Sequence, residues 1–296
     1  TGLSAQTQLD STSISISEIG VRIRELIKSD ALKHQFRRAN SALEGSCDYA
    51  LSPENLDKNR YGRWGYGVPY DATRVELHIV DKEANSDYIN ASHVDGYRSA
   101  GRYIACQGPL EHTVGDMWRM VWQYGCAQVV MLTNSRGPHD WHCAKYWPEW
   151  GPVCEPTVYG NGIKVRPTGR QVADGYTVRT FQVERDGEDA REVVHYNYTG
   201  WPDWGVPDCS HSFLPFLKRV RADKQYTSRK PIVVHCSAGI GRTGSFILID
   251  TMLEMANEEK RIDPLKQLLH IREQRMNLVE AIEQYVFVHQ VLMEAL

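Results

Sequence analysis

The run His235-Cys236-Ser237-Ala238-Gly239-Ile240-Gly241-Arg242-Thr243-Gly244 sets a thiol and a guanidinium at the two ends of a short loop made mostly of small residues. The apolar stretch 231–235 before it has the pattern of a buried strand, and a helix is predicted to begin near Arg242. Such a loop can turn its backbone N–H groups inward, and the helix N-terminus adds the positive end of its dipole. Together these make a concave site for an anion of phosphate size, lined by the backbone of Ser237, Ala238, Gly239, Ile240 and Gly241. Cys236 on its floor is favoured as the thiolate by the same groups. Arg242 can hold two phosphate oxygens with its planar fork. A thiolate facing phosphorus, with a guanidinium on the equatorial oxygens, is a nucleophilic phosphoryl-transfer site. The Thr243 hydroxyl can donate to the sulfur and ease its departure from a phosphocysteine.

A second reactive group lies upstream in Tyr198-Thr199-Gly200-Trp201-Pro202-Asp203-Trp204-Gly205-Val206-Pro207. Two prolines and a glycine make a stiff turn, and two tryptophans flank one carboxylate. Apolar neighbours favour the protonated form of Asp203, which suits it to donate a proton.

The elements that must position these groups follow from periodicity. Apolar residues at helical spacing run from about Ile14 to Ala39, and residues 40–60 are irregular. Residues 74–80 alternate with period two, and 88–91 and 103–106 read as short strands. A helix is predicted over 113–124, a buried strand over 128–132, and a meander of strands over 153–198. Helices are predicted over 213–224, 243–259, 264–275 and 280–295. Strands followed by covering helices predict an α/β fold: one domain over 14–296, after a polar and flexible leader of residues 1–13, with a highly twisted mixed sheet flanked by helices.

The thiol loop resembles the HCxxGxxR[ST]G signature of the classical protein tyrosine phosphatases, and the chain is read as a non-receptor-like catalytic domain of that family. The likeness covers about residues 50–295. It implies Cys236 as nucleophile, a phosphocysteine intermediate, phosphotyrosine-containing proteins as partners, and no metal or other cofactor. The Trp-Pro-Asp segment is similar to the family's mobile loop, which makes Asp203 the acid for the leaving phenol and the base for hydrolysis. Trp204 stands where phenylalanine is common.

Lys58-Asn59-Arg60-Tyr61 resembles the family's phosphotyrosine-recognition loop, with Tyr61 stacking on the substrate ring and making the pocket too deep for phosphoserine. The glycine-aromatic insertion that follows, over 62–71, replaces the place of an acid that in the family contacts the substrate backbone. Glu280-Ala281-Ile282-Glu283-Gln284 matches the family's QTxxQ loop, so Gln284 keeps the second water-placing position while Glu280 replaces the first. His142 takes the place of a family lysine, and the acid that contacts the loop arginine has no match over 135–140. Segments 87–92, 105–110 (with Cys106) and 145–148 match family scaffold and are read as packing.

Competing readings are a phosphotyrosine-binding pseudophosphatase, motivated by Glu280, and an inositol-lipid phosphatase, disfavoured because no lysine lies between Cys236 and Arg242. A metal site at His139 and His142 is disfavoured for want of a second cluster. The net charge of −3 gives no reason to expect nucleic-acid binding. Seven cysteines without a CxxC pair fit free thiols in a reducing compartment. No apolar run can span a bilayer. A cytoplasmic monomer is therefore expected.

Overall fold

The computed structural model describes residues 12–42, 54, 67–80, 85–137, 139–202 and 205–296. Near-continuous apolar runs with β-branched residues form its centre, because such strands can be buried on both faces. Strands β4 (Ser99–Cys106), β5 (Gln128–Met131), β9 (Arg191–Tyr198) and β10 (Ile232–His235) pair in parallel in the order β4-β10-β5-β9. β2 (Arg74–Glu76) and β3 (Tyr88–Gly96) extend one side antiparallel. β8 (Tyr176–Glu184), β7 (Ile163–Ala173) and β6 (Thr157–Tyr159) extend the other, giving a nine-stranded mixed sheet among the described residues.

Alternation along β10 sends Ile232 and Val234 to one core and Val233 to another. The first core is covered by α4 (Leu214–Arg221), α5 (Gly241–Glu259), α6 (Pro264–Arg272) and α7 (Ile282–Ala295). The second is covered by α3 (Val114–Gln123), with Met117, Trp118, Met120 and Val121 buried on it. The same alternation puts Cys236 with the first core and leaves His235 facing Tyr146 of the second.

The N-terminal apolar stretch forms two helices, α1 (Ile19–Lys28) and α2 (Ala31–Ser41), where one was expected. Both the Ser29 amide and hydroxyl close on the Glu25 carbonyl, and Asp30 turns to φ +57°, which no helix can continue. Both helices pack on α7, with the Tyr285 hydroxyl donating to Gln35 at 3.0 Å. Residues 12 and 13, assigned above to the leader, are tied down: Thr12 donates to Asp263 at 2.6 Å, and Ser13 accepts from Arg261. The two-residue strands β1 (Ile14–Ser15) and β11 (Arg261–Ile262) pair beside them. Residues 1–11 lie outside the described residues.

The 74–80 alternation yields a ladder only over Arg74–Glu76. Beyond it Leu77 N–H still donates to the Asp87 carbonyl, and then the backbone turns to side chains: His78 N–H donates to Gln123 Oε1 and Val80 N–H to Ser86 Oγ. Conversely β3 and β4 run longer than their apolar cores suggest, because they form one hairpin through residues 97 and 98, with Gly96 opposite Ser99.

Candidate active site

β10 ends at His235 and α5 begins at Gly241, so the intervening loop sits at the C-terminal edge of the parallel strands, where open α/β sheets place their ligands. Its carbonyl groups are all engaged on the outside. The Cys236 carbonyl accepts from His235 Nδ1 (3.0 Å) and that of Ser237 from Gly108 N–H (3.0 Å). Those of Ala238 and Gly239 accept from Arg275 (3.3 and 2.7 Å), and that of Ile240 from Gly244 and Val279 N–H. In a trans peptide the N–H points opposite to the C=O, and none of the described peptides is cis. Holding the five carbonyls outward therefore turns the amides of residues 237–241 into the concavity.

Arg275 is the main outside clamp. It is fully buried, it also donates to Ser92 Oγ (3.1 Å) and Asn90 Oδ1 (2.8 Å), and burial lowers its pKa from the ordinary value. Gly239 is required where it sits: φ is +72°, and a Cβ there would overlap the Cys106 carbonyl.

Cys236 is 4% exposed, and its sulfur accepts a hydrogen bond from Thr243 Oγ1 at 3.2 Å. Arg242 bridges two segments, donating to the Leu132 carbonyl after β5 (3.2 Å) and to the Pro202 carbonyl (2.9 Å), with its guanidinium 5.9 Å from the Trp201 ring centroid. The chain that leads into Asp203 is thus attached to the anion loop through its arginine. Asp203 and Trp204 themselves lie outside the described residues. So do Lys58–Tyr61 and residues 62–66 of the insertion, and with them the expected stacking by Tyr61. The end of the insertion is described: Val68 and Tyr70 are buried, and Gly67, at φ +73°, packs so close that a Cβ would meet Ile240 Cδ1 at 2.5 Å.

Gln284 reaches the same loop. A Cβ on Gly241 would lie 2.6 Å from its Nε2, and its Oε1 accepts from Glu280 N–H (2.9 Å) and Ala281 N–H (3.3 Å). The amide oxygen is therefore occupied by the backbone just before α7, and both ends of the amide lie against Gly241 of the loop. Glu280 is exposed.

Cys106 is buried, and burial pushes its thiol up to about 12, as expected of a packing residue. The histidines His139 and His142 do not converge on a shared site: the first meets Glu111 at 2.8 Å, and the second lies 3.5 Å from Asp140 and stacks on Trp141. No group of three or more possible metal ligands occurs among the described residues. The His142 backbone does meet the loop, its carbonyl accepting from Ser237 Oγ at 3.0 Å.

The structure thus gathers Cys236, Arg242, Thr243, Gln284 and the 237–241 backbone. Sequence reasoning missed Arg275 and the buried Tyr146 beneath the loop. Arg275 follows α6 by three residues in the polar run Arg272-Glu273-Gln274-Arg275, which sequence alone reads as a surface cation.

The model of the protein-tyrosine phosphatase family matches residues 55–294, and the chain belongs to that family. It is 42% identical over 258 residues to human receptor-type tyrosine-protein phosphatase alpha, covering 85% of this chain and 31% of that protein. It is 40% identical over 285 residues to tyrosine-protein phosphatase Lar of Drosophila melanogaster (96% of this chain, 14% of that protein). To receptor-type tyrosine-protein phosphatase F of Bos taurus it is 39% identical over 288 residues (97% and 15%). The chain spans about a third or less of these relatives. Two of the three are named as receptor-type, so the expectation of a non-receptor-like domain finds no support in them. No described helix is long and apolar enough to cross a membrane.

Proposed function

We propose that this chain hydrolyses phosphotyrosine in proteins through a phosphocysteine on Cys236. The observation that carries the reading is the thiol at the floor of a loop whose carbonyls are all held outward, with a hydroxyl on its sulfur and a guanidinium at its rim. The cradle binds the phosphate dianion; Cys236 attacks phosphorus; Arg242 and the amides of 237–241 take the equatorial charge. Asp203 protonates the leaving phenol and then takes the proton of the attacking water, and Thr243 stabilises the departing thiolate. Support for Asp203 comes from Arg242, which ties its preceding residue to the loop. Tyr61 stacks on the substrate ring, and the reaction requires no metal. The thiolate acts only while reduced, and a reducing, cytoplasmic environment suits that need.

Turnover of a phosphotyrosine peptide by wild type, Cys236→Ser and Asp203→Ala tests this. Cys236→Ser abolishes phosphate release. Asp203→Ala lowers kcat by about a hundredfold or more while still binding substrate. Phosphate release by Cys236→Ser at the wild-type rate refutes the assignment.

One observation favours a second reading, capture of phosphotyrosine with slow turnover. Gln284 Oε1 is occupied by the backbone just before α7, and a carboxylate stands at 280, where a neutral amide would serve water and phosphate together. A burst of phenol release followed by a slow steady state in wild type, relieved in Glu280→Gln, is then expected. The same burst and the same turnover in both proteins defeats this reading.

A further inference from the structure

Beneath the loop, on the face away from the thiol, a chain of hydrogen bonds starts at the Cys236 carbonyl. This oxygen can only accept, so the proton between it and His235 resides on His235 Nδ1 (3.0 Å). His235 is fully buried, and burial lowers its pKa to about 4, so the ring is neutral and Nε2 is bare. Nε2 must accept from Tyr146 Oη, 2.7 Å away. Having given its single proton to His235, Tyr146 Oη can only accept from His195 Nε2 at 2.9 Å. His195, on β9, is 1% exposed, and its Nδ1 is buried without a hydrogen-bond partner. A bare nitrogen tolerates that position better than an N–H would, and it is the tautomer that the chain demands. The polarity of three successive bonds is thereby fixed, running from His195 to the Cys236 carbonyl.

We propose that His195 is a positioning residue for the thiol loop: by donating to Tyr146 it strengthens the bond that His235 makes to the Cys236 carbonyl. Bonds in such chains polarise one another. A carbonyl that accepts more strongly makes the N–H of its own peptide a stronger donor. Here that N–H belongs to Ser237, which faces the concavity above the sulfur. The charged and titratable groups around the chain are few. Arg179 of β8 is opposite His195 in the ladder and stacks on Trp147 at 4.6 Å. Cys106 and Cys143 approach Tyr146. Arg275 and Cys106 approach Cys236 from the other elements, and Arg242 stands at the rim of the loop on the Leu132 and Pro202 carbonyls. The two ring nitrogens, of His195 and His235, are the groups at 2.9 and 2.7 Å from Tyr146 Oη.

The inference rests on the phosphatase reading for turnover but not for the thiol itself, so two readouts separate them. The first is the rate of Cys236 alkylation by iodoacetamide across the pH range, which needs no catalysis. The second is the pH profile of kcat/KM on a phosphotyrosine peptide. His195→Leu is expected to slow alkylation on the acid side of neutrality by about twofold to fivefold, and to lower kcat/KM there in parallel. His195→Gln, whose amide can still donate, restores both.

In a Tyr146→Phe background the His195 replacements have no further effect, because their only route to the loop is gone. Tyr146→Phe deletes one oxygen from a packed ring, so it keeps the test available if His195→Leu fails to fold. Equal alkylation profiles for wild type, His195→Leu and His195→Gln overturn the proposal, as does an undiminished effect of His195→Leu in the Tyr146→Phe background. Altered alkylation in a protein without phosphatase turnover upholds this inference and sinks only the hydrolytic reading.

Discussion

At the scale of single residues, the site depends on atoms that hold the loop from outside as much as on those inside it. Arg275 satisfies two loop carbonyls and two polar side chains of β3 at once. Arg275→Met removes a charged donor from those buried acceptors, so a loss of about 3 kcal/mol or more is expected, together with weakened phosphate binding. Denaturant unfolding and competition by inorganic phosphate measure the two effects; a variant as stable as wild type with unchanged phosphate affinity would falsify the clamp. Gly239→Ala meets both a left-handed backbone and the Cys106 carbonyl, and the loop must deform to admit the methyl group. Among the thiols, burial holds Cys106 up at about 12 and pushes Cys126 still further above the ordinary value, so both stay protonated and unreactive. Dilute peroxide should therefore inactivate reversibly through a sulfenic acid on Cys236. Peptide mapping that finds the activity lost through another cysteine removes this prediction.

At the scale of elements, the start of α7 sets a structural cap beside the thiol loop. Ala281, at the N-cap, has no side-chain oxygen to receive the free N–H groups of the first turn. Gln284 reaches back from the third position and accepts from the N–H groups of Glu280 and Ala281, which holds the chain at its entry into the helix. Gln284→Ala should therefore cost about 1 kcal/mol of stability. It should also slow release of phosphate from the phosphocysteine more than its formation, seen as a larger burst. A stability loss with an unchanged burst assigns Gln284 to the cap alone. α5 is fixed at its middle by a buried network: Asp250 accepts from Tyr103 (2.7 Å), Tyr226 (2.8 Å) and Arg221. This ties the helix that begins at the cradle to β4 and α4 on the face of the sheet that carries the first core.

At the scale of the whole molecule, three fully buried histidines set the response to acid. Burial lowers His235 and His289 to about 4 from 6.5, and takes His195 well below it. The unfolded chain gains these protons near 6.5, while the folded chain resists them until much lower pH. Stability is thus full above about pH 7 and falls as pH drops from 6.5 toward 4, by up to about 3 kcal/mol for each of His235 and His289. Thermal unfolding followed from pH 7.5 to 4.5 should show a steep fall in Tm; a flat profile there contradicts the burial of these rings as neutral groups.

What the sequence determined by itself was local chemistry: a thiol, an arginine and a threonine at loop spacing between a buried strand and a helix fix an oxyanion cradle wherever the chain goes. Periodicity also gave the central strands and the helices after them, since burial on both faces leaves a continuous apolar run. It could not break the 14–39 stretch at Asp30, because a left-handed turn there is a matter of how α1 and α2 meet α7. Nor could it find Arg275, Tyr146 or His195. Their roles arise from carbonyls and rings brought together across tens or more than a hundred residues, and only the folded sheet, with His235 turned to one face and Cys236 to the other, decides which polar groups meet.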